Sequence, residues 1–435
     1  MGSRLGGKYF FILALSFCNL FVCFCFSAQS GDPYYSSKND RIFWFIQMAD
    51  IHIGARGTQD SQNLQWIVTD AKDIIGPTFI VASGDLTDST DGNILGYPDG
   101  PHQEEWNEYR AILNQAGMDA NFYYDIPGNH EAYNDRFFSY YRANSIQGQA
   151  TGQTQISWTR EFGFGTYHFL GVNTADNTGA PFSLFFPWGD HAGLDDNELT
   201  FIQTALEGHK DADVTLLFGH HPVTDTGYST DTWLFYGQER FIGYLDLYEA
   251  SLYGYGHTHR LGKDIFSGNS YTGFMEGDGI YYFNIASLGK STENQYSIIA
   301  VDCNGISILT TSIDTWPAVL ITAPLNKDFG GAVNPYAYDV PRLKRNPVRA
   351  LVFDSNTVTE VSYRVDGAGY WNLMGQVSGN QHLWEALWDA SALSVGEHSI
   401  EVRAVSTSGT STDSIMFNVI HPVVLPWIPL LLLHE

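Results

Sequence analysis

Five short segments carry the residue types that chemistry at a divalent cation requires: Asp50-Ile51-His52, Gly84-Asp85, Gly128-Asn129-His130, Gly219-His220-His221-Pro222 and Gly256-His257-Thr258-His259. Imidazole nitrogens with carboxylate and amide oxygens form a mixed donor set suited to Mn, Fe or Zn. Any one segment alone is a weak signal, because a D-x-H or a G-N-H arises by chance and a lone buried histidine usually just satisfies a hydrogen bond. All five together make a metal cluster the expectation, provided the fold brings them to one place.

The elements that would do so can be read from hydrophobic runs. Residues 42–48, 78–82, 122–126, 167–172, 214–218 and 250–255 are continuous apolar stretches of the kind found in strands buried on both faces. Asp50 and His52 follow the first run, Asp85 the second, Asn129 the third, His220 the fifth, and His257 and His259 the sixth. Helical patterns lie between several runs. Over 62–75, Leu64, Ile67, Val68, Ala71 and Ile74 form a stripe at three- and four-residue spacing. A second helix is predicted from Asp195, where Asp195 can cap and Glu198 can reach back; Leu199, Ile202 and Leu206 give its apolar face and Gly208 its end. Such alternation predicts an α/β layered fold with ligands gathered beyond the carboxyl ends of the strands. In an extended segment residues two apart point the same way, so Asp50 with His52, and His257 with His259, are each expected to converge.

The order D-x-H, G-D, G-N-H, G-H-H-P and G-H-x-H resembles the calcineurin-like metallophosphoesterase superfamily, over roughly residues 41–312. Gln47-Met48-Ala49-Asp50-Ile51-His52 and the β-rich region behind it look like the phosphoesterase part of the transmembrane protein 62 group and its microbial relatives. The resemblance implies a two-sheet α/β sandwich and two divalent metal ions, Mn, Fe or Zn. One ion would take Asp50, His52 and His259, the other Asn129, His220 and His257, with Asp85 bridging. It further implies hydrolysis of phosphate mono- or diesters, with a hydroxide shared between the ions as nucleophile and His130 facing the phosphoryl group as charge stabiliser or proton donor. His221 is then a supporting residue rather than a ligand. Asp88 stands three residues after Asp85, where purple acid phosphatases place an iron-binding tyrosine, so a tyrosinate–iron centre is not supported.

A chain of 435 residues exceeds one ordinary hydrophobic core, so a main domain with a satellite is expected. Residues 31–313 carry the phosphoesterase pattern. Residues 314–422 alternate apolar and polar positions like an all-β immunoglobulin-like or fibronectin-like sandwich, most clearly over 358–365, 398–405 and 414–420. Residues 1–30 have the basic start, apolar middle and small polar end of a secretory signal, with an uncleaved membrane anchor as the alternative. Export is expected either way. Residues 423–435 are an apolar tail interrupted by prolines and remain unassigned. Three of the four cysteines lie within the first 30 residues, leaving Cys303 with no partner for a disulfide.

The formal charge of −26 disfavours extended nucleic acid as a partner and leaves a small phosphorylated substrate as the fitting one, since bound cations reverse the field locally. Arg56 and Arg260 either contact the substrate phosphate or are solvated loop residues. The aromatics Phe182, Phe185, Phe186 and Trp188 either line a pocket for an apolar substrate moiety or pack an inserted loop; Tyr370, Trp371, Trp384 and Trp388 suggest sandwich core first and a carbohydrate or partner surface second. The alternative to an enzyme is an exported adhesion or interaction protein whose metal site only stabilises the fold. His130 favours the enzyme, because a structural site has no need of it.

Overall fold

The computed structural model describes residues 41–90, 100–175, 192–223, 234–259, 261, 274–277, 280–290, 292–329 and 332–422. The expectations for residues 1–30 and 423–435, for Arg260 and for the aromatics at 182–188 lie outside them.

Eleven strands among the described residues build two sheets. They are β1 (Ile42–Met48), β2 (Ile80–Ser83), β3 (Tyr123–Ile126), β4 (Ile156–Phe162), β5 (Gly165–Gly171), β6 (Val214–Phe218), β7 (Leu252–Tyr255), β8 (Phe274–Gly277), β9 (Ile280–Asn284), β10 (Gln295–Asp302) and β11 (Gly305–Ser312). The first sheet has the order β11-β10-β1-β2-β3 and the second β4-β5-β6-β7-β9-β8. Strands β1, β2 and β3 are parallel, as are β5, β6, β7 and β9, so the carboxyl ends within each group point the same way.

Alternation along the strands explains the layering. Phe43 and Phe45 of β1, Val81 of β2 and Ile126 of β3 meet Phe169, Leu216, Phe218 and Phe283 of the second sheet in one buried cluster. The opposite face of β1, through Ile42 and Ile46, packs with Leu64, Ile67, Trp106 and Tyr109 of two helical segments. Leu217 and Tyr253 turn to the far side of the second sheet and meet Leu199, Ile202, Phe241 and Leu245. The product is a four-layer α/β/β/α arrangement whose runs are apolar on both faces because both faces are covered.

The first helical segment runs through Gln59–Trp66, Ile67–Ala71 and Lys72–Ile75, the middle piece being a π-helical turn. Widening at that turn delays the apolar stripe by one residue, so Ile75 rather than the expected Ile74 is buried. The helix Asp196–Gly208 starts as its sequence predicts. Asp195 accepts the N–H groups of Asn197 and Glu198 at 2.8 and 2.9 Å, and Glu198 accepts that of Asp195 at 2.9 Å.

Among the described residues from Ala318 to Pro422 the regular elements are all β-strands. One sheet pairs Ala318–Ala323, Asn346–Phe353, Leu383–Trp388 and Gly375–Gln376; the other pairs Val340–Pro341, Thr410–Ile420, Gly396–Ser406, Val358–Val365 and Asn372–Leu373. Val348, Val352, Val361, Ile400, Val402 and Phe417 fill the space between them. The two parts of the chain are not separately cored: Leu320, Leu351, Phe353 and Leu383 belong to the same apolar cluster as Ile42 and Ile46. Arg349, fully buried, donates from Nε to Asp302 of β10 at 2.9 Å and from Nη1 to Glu385 at 3.1 Å. Of the aromatics expected in the sandwich core, Trp388 is buried and Trp384 packs against the core, while Tyr370 is 70% exposed and Trp371 lies beneath the guanidinium groups of Arg364 and Arg403.

Candidate metal centre

The loops that carry the five segments meet at one edge where the two sheets come together. Beyond the ends of β1 and β2 their pairing continues, with Asp50 N–H donating to Gly84 O at 3.1 Å and His52 N–H to Asp85 O at 2.9 Å. On the other side, Leu288 and Gly289 donate to Ala49 O and Asp50 O. Across the gap between sheets, the Asp50 carboxylate accepts the N–H of His257, at 3.0 Å to Oδ1 and 3.1 Å to Oδ2. Asp50 thereby ties the first segment to the last.

The expected convergence of Asp50 with His52, and of His257 with His259, is present, but not for the reason given by an extended backbone. Asp50, His52, Asp85, His257 and His259 have φ of 52°, 51°, 53°, 71° and 60°, all in the left-handed region that costs a side-chain-bearing residue energy. Each loop turns sharply at its ligand residues instead of alternating. Two glycines let these loops touch. A β-carbon on Gly84 would come within 2.5 Å of His220 Nδ1, and one on Gly128 would overlap Asp85 Oδ1.

Donor atoms bound to one cation at about 2.0–2.2 Å lie about 3–3.5 Å from each other. The separations match. His52 Nε2 is 3.2 Å from His259 Nε2 and 3.5 Å from Asp85 Oδ2, and His259 Nε2 is 3.5 Å from Asp50 Oδ1. On the other side, His257 Nδ1 is 3.1 Å from Asn129 Oδ1 and 3.3 Å from His220 Nε2, which is 3.1 Å from Asp85 Oδ2. Asp85 Oδ2 is therefore common to both groups. It is buried and, among the described residues, no hydrogen bond of good geometry reaches it, although His220, His52 and His130 bring imidazole nitrogens to 3.1, 3.5 and 3.8 Å, the nearest of them pairing with it when protonated. Nitrogens facing nitrogens at 3.2 and 3.3 Å around one shared carboxylate oxygen is the pattern expected of ligands arranged for cations, so the donor set fits divalent metal.

Surrounding contacts select the tautomers such binding needs. His52 Nδ1 donates to Asp88 Oδ1 at 3.0 Å and His220 Nδ1 to Ser83 O at 2.9 Å, leaving the Nε2 lone pairs for the cage. Asn129 Nδ2 donates to Tyr133 OH at 2.8 Å, which turns its oxygen toward His257. His130 donates its backbone N–H to Asp85 Oδ1 at 3.0 Å, and its Nδ1 contacts the Asp88 carbonyl. His221 holds the Thr174 hydroxyl through Nδ1 at 3.0 Å; its Nε2 is buried, has no hydrogen-bond partner among the described residues and lies in a cluster with His220 and His257.

Without cations the charges are paired differently. Burial works against ionisation of Asp85, but His220, His130 and His52 outweigh it and hold the carboxyl well below the usual range. Burial likewise opposes protonation of His220, yet the Asp85 charge raises it to about 9. Asp50 is pushed up to about 7, chiefly by burial. Burial lowers His52, His257 and His259, so these rings are ready to bind as neutral imidazoles, and it lowers His130 beside them.

Three residues of this site went unrecognised in the sequence reading. Glu131, buried behind the cage, accepts the N–H groups of Gly128, Asp85, Leu86 and Thr87 at 2.8, 3.1, 2.9 and 3.1 Å. Its place directly after Gly128-Asn129-His130 was the available signal. At the level of sequence Asp88 marks only the lack of an iron-binding tyrosine, whereas in the fold it orients His52. Lys290 reaches Asp88 Oδ1 with Nζ at 3.3 Å from a loop no motif marked. Arg56, its side chain 26% exposed, pairs with buried Asp60 at 2.9 Å and donates to Asn294 at 2.9 Å.

Comparison with known proteins agrees with this geometry. A family model described as calcineurin-like phosphoesterase matches residues 43–261, half of the chain, and one described as bacterial Ig domain matches residues 317–402. Transmembrane protein 62 of Mus musculus is 28% identical over 400 residues, covering 88% of this chain and 56% of that protein. An Arabidopsis thaliana protein provisionally named a metallophosphoesterase is 23% identical over 390 residues, covering 78% of this chain and 51% of its own length. The chain thus spans about half the length of the curated relatives it matches. A solved Staphylococcus aureus structure, provisionally titled a 5'-nucleotidase, overlaps at a TM-score of 0.36 and 13% identity, with 62% of this chain and 53% of that one covered, too little to carry an argument.

Proposed function

The chain belongs to the calcineurin-like phosphoesterase family, and from that premise we propose that it hydrolyses phosphate esters of small molecules with two divalent metal ions. Asp50, His52 and His259 would hold one ion, Asn129, His220 and His257 the other, and Asp85 both. The observation that carries this reading is the convergence of the nitrogens of His220, His52 and His130 on the buried Asp85 Oδ2, at 3.1, 3.5 and 3.8 Å. When bound, the ions supply concentrated positive charge for the phosphoryl oxygens and a water acidic enough to attack at neutral pH.

The protein's own groups would do the rest. With Nδ1–H given to the Asp88 carbonyl, His130 would carry a hydrogen on Nε2 only as the imidazolium; burial opposes that form and the negative charge of a bound phosphoryl group would favour it, so the ring would attract a phosphoryl oxygen and hand a proton to the departing alkoxide once substrate is in place. Asp88 and Ser83 keep His52 and His220 in the metal-binding tautomer. Glu131 holds the loop of Asp85 in place.

We propose further that the protein is exported, secreted or tethered through residues 1–30, whose basic, apolar and small polar parts support that reading. Among the described residues no helix is long and apolar enough to cross a membrane. One relative bears the name transmembrane protein, which agrees with tethering.

The test is hydrolysis of p-nitrophenyl phosphate and bis(p-nitrophenyl) phosphate by protein loaded with Mn²⁺ or Zn²⁺, before and after chelation, with His130→Ala alongside. Hydrolysis lost on chelation and restored by metal, and a roughly 10²- to 10⁴-fold loss in His130→Ala at full metal content, are expected. Inertness toward both esters with metals loaded would contradict the proposal.

A further inference from the structure

Lys290 stands out among the described cations near the cage. Its loop is pinned to the metal side of the site: Ser287 Oγ donates to Asp50 O at 2.9 Å, Gly289 N–H to the same oxygen at 2.9 Å, and Lys290 N–H to Ser287 Oγ at 2.9 Å. Gly289 is so close to the first segment that a β-carbon there would overlap Ile51 O. The backbone at 287–290 is therefore held fast while the Lys290 side chain stays 35% exposed, able to meet a molecule arriving from solvent. Its ammonium has three donors, and among the described residues one is directed to Asp88 Oδ1 at 3.3 Å. Asp88 in turn contacts His52 of the cage and His130 beside it, so the charge of Lys290 is felt by Asp50, His52, His130 and His259 alike. Arg56, which follows the first segment in the chain, is engaged by Asp60 and Asn294.

We propose that Lys290 is a substrate-binding residue that contacts the phosphoryl group and biases the site toward phosphate monoesters. The inference rests on the phosphoesterase reading and adds a substrate class to it. A monoester is a dianion and a diester a monoanion, and the attraction of one ammonium scales with the charge it faces. Removing Lys290 must therefore penalise the monoester about twice as much in free energy, which is the square in rate. Lysine acts here as a point charge on a flexible stem, so arginine should substitute in part.

The experiment compares wild type, Lys290→Ala and Lys290→Arg, each with its metal content measured. The readouts are kcat/KM on p-nitrophenyl phosphate and bis(p-nitrophenyl) phosphate, and the affinity of the metal-loaded protein for inorganic phosphate by calorimetry. If Lys290→Ala lowers the diester rate about tenfold, the monoester should fall about a hundredfold, with phosphate binding weakened in parallel and Lys290→Arg intermediate. Equal loss on both esters, or unweakened phosphate binding at full metal content, would overturn the inference, as would a loss of metal in Lys290→Ala, which would make it a support for Asp88. A wild type that neither hydrolyses nor binds phosphate with its metals in place would instead sink the phosphoesterase reading itself.

Discussion

Glu131 Oε2 accepts the backbone N–H of Asp85 at 3.1 Å, and the same carboxylate holds three further N–H groups in the loops of Gly84-Asp85 and Gly128-Asn129. A residue that touches no ligand atom thus fixes the segment bearing the shared carboxylate. Burial, aided by the Asp85 charge, pushes Glu131 up to about 8, so the position resists ionisation that its four donors favour. Replacing it with alanine would leave those donors buried without an acceptor, at about 1–3 kcal/mol for each lost partner. Glu131→Ala should unfold at markedly lower denaturant concentration and bind metal weakly, whereas Glu131→Gln should be milder. Equal denaturation midpoints for Glu131→Ala and wild type would refute this role.

Metal uptake should release protons. Asp50 sits at about 7 and His220 at about 9 in the metal-free chain, both above their ordinary values, and both must give up protons to become ligands. Calorimetric titration of stripped protein near pH 7.5 in buffers of different ionisation enthalpy should report protons released, with affinity falling below pH 7. The sign for stability follows from His220. A raised folded value means a contribution that is complete below 6.5 and lost as pH climbs through 9. Stripped protein should therefore lose stability over that window, and metal-loaded protein should not.

How much of this was legible beforehand depended on what enforces each feature. β1 and β6 were read to the residue because a strand covered on both faces leaves an unbroken apolar run, and Asp195 with Glu198 was read because a capping box is local. The left-handed backbone at Asp50, His52, Asp85, His257 and His259 was not, since nothing local demands it; contacts from other loops impose it. Glu131 and Lys290 escaped for a similar reason, acting across 46 residues to Asp85 and 202 to Asp88. The shared core of the two parts was missed because Leu320 and Phe353 look like any sandwich residues until β1 lies beside them.

Gly128→Ala probes the close approach of loops directly. The added carbon would overlap Asp85 Oδ1 and displace the shared carboxylate, while Gly117→Ala, at an open surface turn, meets nothing within 4 Å. Gly128→Ala should lose metal and at least about 2 kcal/mol of stability; Gly117, at a φ of 68°, should lose about 1 kcal/mol and no metal. Metal analysis beside chemical denaturation separates the two, and a fully loaded Gly128→Ala would rule out the tight packing described.

The buried Arg349–Asp302 pair predicts strong coupling between the sandwich and the phosphoesterase part. Arg349→Met strands Asp302, whose carboxyl burial already pushes upward, and should cost about 3–5 kcal/mol. Adding Asp302→Asn should recover part of that loss, and a double-mutant cycle measures the coupling. Additive effects would mean that the pair does not bind the two parts together.

The most direct test of the two-ion cage is a count of Mn²⁺ ions bound per chain at saturation, in wild type and in Asp85→Asn. Two ions in wild type and a loss of both tight sites in the variant is the expected result. One ion or none in wild type, or an Asp85→Asn protein that still binds two tightly, would contradict it.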